Sequence, residues 1–164
     1  VAKKKGPAGT PALVALEAAG VPHTVHPYEH DPGSDLGYGL EAARAIGVPA
    51  EQVFKTLMAV VDGELTVAVV PVTGLLDLKA LAQAVGAKRA VMADRPVAER
   101  ATGYVVGGIS PLGQRTRHRT VVDETAELFD VVYVSGGRRG LDVGLAPADL
   151  VRLTDAVVAD VARG

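Results

Sequence analysis

The chain contains no cysteine and no tryptophan, and aromatic residues make up only 4% of its 164 positions. Without a thiol there is no disulfide, no thiolate nucleophile and no cysteine-bound zinc, so bond-breaking chemistry must come from another side chain, from water or from the substrate. The scarcity of aromatics speaks against a platform on which successive bases of a single strand stack. Positive charge is not in excess either: the formal net charge is -2, so any contact with nucleic acid must rest on a local basic patch. No apolar run is long enough to span a bilayer and no signal peptide is evident, which predicts a cytoplasmic protein without membrane contact.

What is present is a globular composition, 48% hydrophobic and 22% charged, at a length that suits one domain with a real core and not two. Residues 1–9 carry Lys3, Lys4 and Lys5 beside Gly6, Pro7 and Gly9 and lack hydrophobic periodicity, which predicts a flexible basic leader and leaves 10–164 as the folded unit. Thr10 and Pro11 open a helix that Gly20 ends. Residues 21–28 read as extended, 31–35 as a loop, and 38–46 as a short helix stopped by Gly47. The clearest local signal is a hairpin, 53–61 and 65–72 about Asp62-Gly63. Asp77 can cap a helix running to about residue 85, closed by Gly86. Short strands are expected near 88–93, 104–106, 120–122, 131–135 and 141–145, and helical pieces at 147–153 and 156–162. Strands and helices mix without a regular βαβ rhythm, which predicts an α+β single domain with a curved, mixed, partly barrel-like sheet and peripheral helices.

Several positions could carry chemistry. Lys55 and Thr56 interrupt an apolar strand, Val53-Phe54-Lys55-Thr56-Leu57, and on a strand they face opposite sides. Lys55 reads either as a solvent-facing lysine or as a cation at a cleft, aimed at a phosphate or carbonyl oxygen. Residues 103–114 hold Gly107 and Gly108 ahead of Ser110 and Pro111; such glycines let backbone amides approach a ligand, or simply make a turn, and no Lys-Ser/Thr ending marks a nucleotide P-loop. A further glycine loop, Ser135-Gly136-Gly137-Arg138-Arg139-Gly140, leads into Asp142 between apolar neighbours, where arginines suit phosphates and the acid suits an ammonium, unless the arginines are ordinary solvated turn charges and Asp142 an edge-strand acid. Arg115, Arg117, His118 and Arg119 form the densest basic run, a positive lip if they share a rim with Arg138 and Arg139. His23, His26, Glu29 and His30 carry metal-like spacings, but extended chain and Pro27 scatter them, and neither metal nor cofactor is expected.

Five segments in order resemble the YbaK/EbsC family of aminoacyl-tRNA deacylases, relatives of the editing domain of bacterial prolyl-tRNA synthetases: Tyr28-Glu29-His30-Asp31-Pro32, Val53-Phe54-Lys55-Thr56-Leu57, Leu76-Asp77-Leu78-Lys79, residues 107–114, and residues 133–142. The similarity spans about residues 10–162 and lies closest to the branch that clears cysteine from tRNA(Pro). It implies the fold of that family, catalytic roles for Lys55, Gly107, Gly108 and Asp142, and substrate contacts from Tyr28, Phe54, Thr56, Ser110, Pro111, Ser135, Gly136, Arg138 and Arg139. It further implies a monomer that receives the acceptor end of tRNA(Pro), works beside prolyl-tRNA synthetase, and uses the substrate's own thiol as nucleophile. Two other readings stay open: a deacylase of Ala-tRNA(Pro) or another mischarged tRNA that activates a water, and a non-catalytic tRNA- or synthetase-binding module.

Overall fold

Residues 9–30 and 37–164 are described by the structure, a computed structural model, so the loop expected at 31–35 and all of the basic leader but Gly9 lie outside the described residues. Helix α1 (Pro11–Ala19) begins on Thr10, whose hydroxyl accepts from the Leu13 amide, and ends on Gly20 at a left-handed φ of 65°. Strand β1 (His23–Pro27) and helix α2 (Gly37–Ile46) follow. The hairpin forms as the sequence predicts: β2 (Phe54–Val61) and β3 (Glu64–Pro71) turn on Asp62 and Gly63, both at positive φ. The Asp62 carboxylate also accepts from the amides of Lys88 and Arg89, each at 3.0 Å, and so moors the turn to a later strand.

After β4 (Leu75–Leu76), Asp77 caps α3 (Leu78–Ala84) by accepting from the Ala80 amide. Then come β5 (Ala90–Met92), α4 (Arg95–Thr102), β6 (Arg119–Asp123), β7 (Val132–Arg138), β8 (Leu141–Leu145), α5 (Pro147–Thr154), β9 (Val157–Ala159) and β10 (Ala162–Arg163). The larger sheet has the order β5-β2-β3-β6-β9, antiparallel from β5 to β3 and parallel from β3 to β9. A second, antiparallel sheet has the order β1-β8-β7, and β10 pairs with β4. The two larger sheets meet at a single parallel bridge between Val53 and Tyr133. They do not close on one another, so the expected α+β fold with a mixed sheet stands but its barrel-like character does not.

Period-two alternation sorts the side chains. In β8, Leu141, Val143 and Leu145 enter the main core with Val132 and Val134 of β7 and Leu13 and Leu16 of α1, leaving Asp142 and Gly144 on the opposite face. A second apolar cluster, including Val61, Val70, Leu81 and Val121, packs α3 against the larger sheet. No helix among the described residues is long and apolar enough to cross a membrane.

Two expected elements are absent. Residues 104–106 are not a strand: Gly103 ends α4 at φ 82°, the Val106 amide donates to Glu99 at 2.7 Å, and the Tyr104 hydroxyl donates to the Leu112 carbonyl at 2.7 Å, so this stretch is tied to its own helix and loop. Residues 156–162 are not a helix: Val157 and Val158 pair in parallel with Val121 and Val122, and the Asp123 carboxylate accepts from the Val161 and Ala162 amides. β-Branched residues beside an open strand edge outweighed the apolar spacing.

One glycine fixes how α1 meets the loop at 107–114. Gly113 has φ 66°, and a Cβ there would run into the Pro11 carbonyl. Left-handed strain and a backbone clash together cost about 2–5 kcal/mol, so Gly113→Ala is expected to lower the melting temperature by roughly 5–15 °C, measurable by thermal unfolding.

Candidate active site

A cavity of about 360 Å³, within the usual size range of small-ligand sites, opens between the two sheets beside their one bridge. Strand β2 supplies Phe54, Lys55, Thr56, Leu57 and Met58; β7 and β8 supply Ser135 and Asp142; the glycine loop supplies Gly107 and Ile109. Tyr28 follows β1 into the same space, its amide donating to the Gly140 carbonyl at 2.8 Å and its hydroxyl to the Tyr38 carbonyl at 3.2 Å. Seven predicted site residues, Tyr28, Phe54, Lys55, Thr56, Gly107, Ser135 and Asp142, therefore share one cavity, though they come from four separated parts of the chain.

Electrostatics inside it are set by burial. Asp142 lies on the central strand of its sheet, opposite His26 on one side and Ser135 on the other. It is 6% exposed and, among the described residues, accepts no hydrogen bond; desolvation pushes its carboxyl up from 3.8 to about 7. Burial first, and the neighbouring Asp142 charge second, also push the Tyr28 phenol above its ordinary range. Lys55 is only partly buried, forms no ion pair among the described residues, and is held below the usual lysine range by desolvation. The Thr56 hydroxyl oxygen is itself shut off from solvent and has no hydrogen-bond partner, the one such side-chain atom among the described residues.

Six predicted residues do not line the cavity. The Gly108 amide donates to the Val105 carbonyl at 2.8 Å, closing a turn, so that donor is spent within the loop, while Gly107 lines the cavity. Gly108 instead admits the Arg138 backbone, which a Cβ would meet at 2.8 Å. Ser110 is fully buried, its hydroxyl accepting from the Leu112 amide, and Pro111 walls a separate cleft. Gly136 lies against Leu141 and accepts the Thr10 hydroxyl at 2.7 Å. Arg138 is exposed, and Arg139 donates twice to the Val106 carbonyl, at 2.8 and 3.0 Å, which holds the turn that presents Gly107.

The basic run does not form one lip. Arg119 turns to Glu64 and Thr66 on β3, and Arg117 and His118 border the cleft of Pro111. Arg115, which donates to the Arg100 carbonyl, stays beside α4. Arg95 lines the cavity and bonds Glu99, whose carboxylate also takes the Val106 amide, and Arg139 reaches the Val106 carbonyl and the Tyr38 ring, so Arg95 and Arg139 stand at the cavity mouth with Glu99 beside them.

The three histidines have separate partners: His23 the Val21 carbonyl, His26 the Thr24 hydroxyl, and His30 the Glu41 carboxylate. His30 also contacts the Tyr38 ring at 4.1 Å between centroids, and the Arg139 guanidinium lies 5.5 Å from that ring, fixing Tyr38 at the entrance. Tyr38, Arg95, Met58 and Met92 are cavity residues that the sequence reading did not single out. The one available signal was that each of the chain's only two methionines stands in an expected strand, 53–61 and 88–93.

Comparison with known proteins places this geometry among others. Residues 39–153 match the aminoacyl-tRNA editing domain. The chain is 35% identical, over 98% of its own length and 98% of the other's, to EbsC of Enterococcus faecalis, a candidate Cys-tRNA(Pro)/Cys-tRNA(Cys) deacylase. It is 30% identical to a proline–tRNA ligase of Geobacter metallireducens over 74% of this chain and 21% of the ligase. A crystal structure described as a candidate trans-editing enzyme for prolyl tRNA synthetase superposes with a TM-score of 0.85 at 26% identity, covering 98% of this chain and 100% of that one.

Proposed function

Because the chain belongs to the aminoacyl-tRNA editing domain family and is on that footing an aminoacyl-tRNA deacylase, we propose that it clears cysteine from tRNA(Pro) in trans. One observation carries this reading: Lys55, Gly107, Ser135 and Asp142 line a single cavity that brings together a cation, a glycine backbone, a hydroxyl and a buried acid, with no thiol in the chain and no base-activated nucleophile among the described lining residues. A hydrophobic pocket separates near-isosteres such as cysteine and proline by only about 1–3 kcal/mol, so a synthetase needs a second, chemical test of its product.

Reactivity supplies that test when the nucleophile belongs to the substrate. The cysteinyl sulfur attacks its own ester carbonyl; the C–S bond forms, the bond to the ribose oxygen breaks, and the thiol proton ends on the released ribose hydroxyl. Water then opens the strained cyclic thioester to free cysteine. The protein contributes positioning and charge stabilisation. Lys55 faces the developing oxyanion or the terminal phosphate, Gly107 offers its amide to the carbonyl, and Asp142 receives the α-ammonium group. The arginines at the mouth take the phosphates of the acceptor end, as a monomer beside prolyl-tRNA synthetase.

Deacylation of Cys-, Ser- and Ala-tRNA(Pro) by the purified protein, with and without prolyl-tRNA synthetase, tests the reading. Cys-tRNA(Pro) is expected to be cleared while Ser-tRNA(Pro), identical but for the sulfur, persists. Rapid release of serine or alanine favours an activated water, and tRNA affinity with a steep salt dependence but no hydrolysis favours a binding module.

A further inference from the structure

The antiparallel ladder between β2 and β3 determines which way each main-chain group of β2 points. Along such a ladder, residues whose N–H and C=O meet the partner alternate with residues whose groups point away. The Val72 amide donates to the Val53 carbonyl at 2.9 Å, which assigns Val53, and with it Lys55 and Leu57, to the β3 side. Phe54, Thr56 and Met58 turn their main chain the other way, and the Met58 carbonyl indeed accepts from the Ala93 amide at 3.0 Å across that edge.

On this second edge the pairing of β2 is interrupted. Strand β5 takes Ala59, Val60 and Val61, and β7 makes the single bridge at Val53 and Tyr133. The Val53 amide donates to Ala50 and its carbonyl faces β3, so the bridge must join Gln52 and Phe54 to the main chain of Tyr133. Tyr133 thus faces β2, and Ser135, two residues on, turns its main chain the same way. The next rung would join Ser135 to Phe54 and Thr56, but the ladder does not continue there. A register shift in β7 between Ser135 and Arg138 marks where that strand veers off. The cavity occupies the resulting wedge, with Phe54, Thr56 and Ser135 in its lining, and the unpartnered Thr56 hydroxyl adds a buried polar atom to the same wall.

We infer that this unzipped seam is the subsite for the aminoacyl half of the substrate, where main-chain groups of Thr56 and Ser135 and the Thr56 hydroxyl bind the α-ammonium and ester carbonyl in place of the missing rung. The assignment rests on the deacylase reading. An ammonium supplies donors to strand carbonyls and an ester carbonyl supplies an acceptor to a strand amide, so an aminoacyl ester carries both halves of the absent pairing. Such recognition reads only what all amino acids share. Discrimination between side chains is then left to the reactivity of the substrate thiol, with the apolar lining residues Met58, Met92 and Ala93 adding only what fit can add.

Thr56→Val tests the seam because it keeps a β-branched side chain and removes the hydroxyl. The melting temperature is expected to hold or rise, since an unpartnered buried hydroxyl disappears, while kcat/KM on Cys-tRNA(Pro) falls about tenfold or more, chiefly through KM, and Thr56→Ser recovers most of it. In NMR titrations with 3′-cysteinylamido-3′-deoxyadenosine, whose amide replaces the scissile ester, the amide protons of Thr56 and Ser135 are expected to shift downfield and exchange more slowly. A Thr56→Val enzyme with parental kcat/KM, or an analogue that binds without moving either amide, overturns the seam and leaves the deacylase reading standing. A parent enzyme that neither hydrolyses the ester nor binds the analogue overturns both.

Discussion

Lys55→Ala is expected to lower Cys-tRNA(Pro) deacylation by about 10²–10³-fold in kcat while leaving the fold intact, the scale seen when one preorganised donor to a developing oxyanion is removed. The lysine makes no ion pair among the described residues and is only partly buried, so its loss leaves no stranded partner and no large hole. Burial already holds the ammonium below the usual lysine range, which means it is poorly solvated and gains from meeting negative charge in the cavity. Single-turnover deacylation together with thermal unfolding separates the catalytic effect from a folding effect. Parental turnover by the variant removes Lys55 from the chemistry. Lys55→Arg is expected to recover little, because a planar guanidinium does not place its charge where an ammonium does.

Asp142→Asn is expected to act in opposite directions on stability and on function. The folded carboxyl titrates at about 7 against 3.8 for an ordinary aspartate, so between these values the folded chain holds a proton that the unfolded chain has released. Stability linked to this group is therefore fully present below about pH 4 and is lost as pH rises through about 7, on the order of 2–4 kcal/mol in all. The asparagine variant has no such charge to bury. Its melting temperature is expected to exceed the parent's at pH 8 and to show a flatter profile between pH 5 and pH 8. A bound α-ammonium reverses the balance by favouring the ionised carboxylate, so the same variant is expected to lose about 10²-fold in kcat/KM, mostly through KM, and to lack the limb near pH 7 that the parent shows in kcat/KM. An asparagine enzyme with the parent's stability profile and KM would show that neither the burial of the charge nor its pairing matters. Burial drives the Tyr28 phenol further from that limb, whereas it draws the Lys55 ammonium down from its ordinary range towards it, so the pH profile of Lys55→Ala separates the two contributions.

Legibility in the sequence followed the range of the interactions concerned. The hairpin at Asp62-Gly63 and the caps at Thr10, Gly20 and Asp77 depend on contacts within a few residues, and each formed where local chemistry put it. Lys55 stood out because a lysine inside Val53-Phe54-Lys55-Thr56-Leu57 breaks an apolar strand, and Asp142 because Leu141 and Val143 flank it, but the pattern left both open to a solvent-facing reading and the family resemblance chose the cleft. Tyr38 and Arg95 gave no such signal. One enters the cavity from α2 and the other from α4, brought there by tertiary packing that no short pattern encodes. Gly107 and Gly108 look alike in sequence, yet a single hydrogen bond to Val105 gives the second a structural task. The errors at 104–106 and 156–162 share a cause: valines carry the same hydrophobic signal in a strand, a helix or a loop, and what separates them is whether a neighbouring strand offers a free edge.

Met58 and Met92 carry the only sulfur atoms in the chain, and both line the cavity, Met58 almost wholly covered and Met92 46% exposed. Oxidants that attack sulfur thus have a single address on this protein. Conversion of the exposed Met92 to its sulfoxide would set a polar S=O group into the cavity lining, with the covered Met58 the only other sulfur in the chain. Damage of that kind would be read out as altered preference among amino acids before it was read out as unfolding, and methionine sulfoxide reductase would restore the original surface.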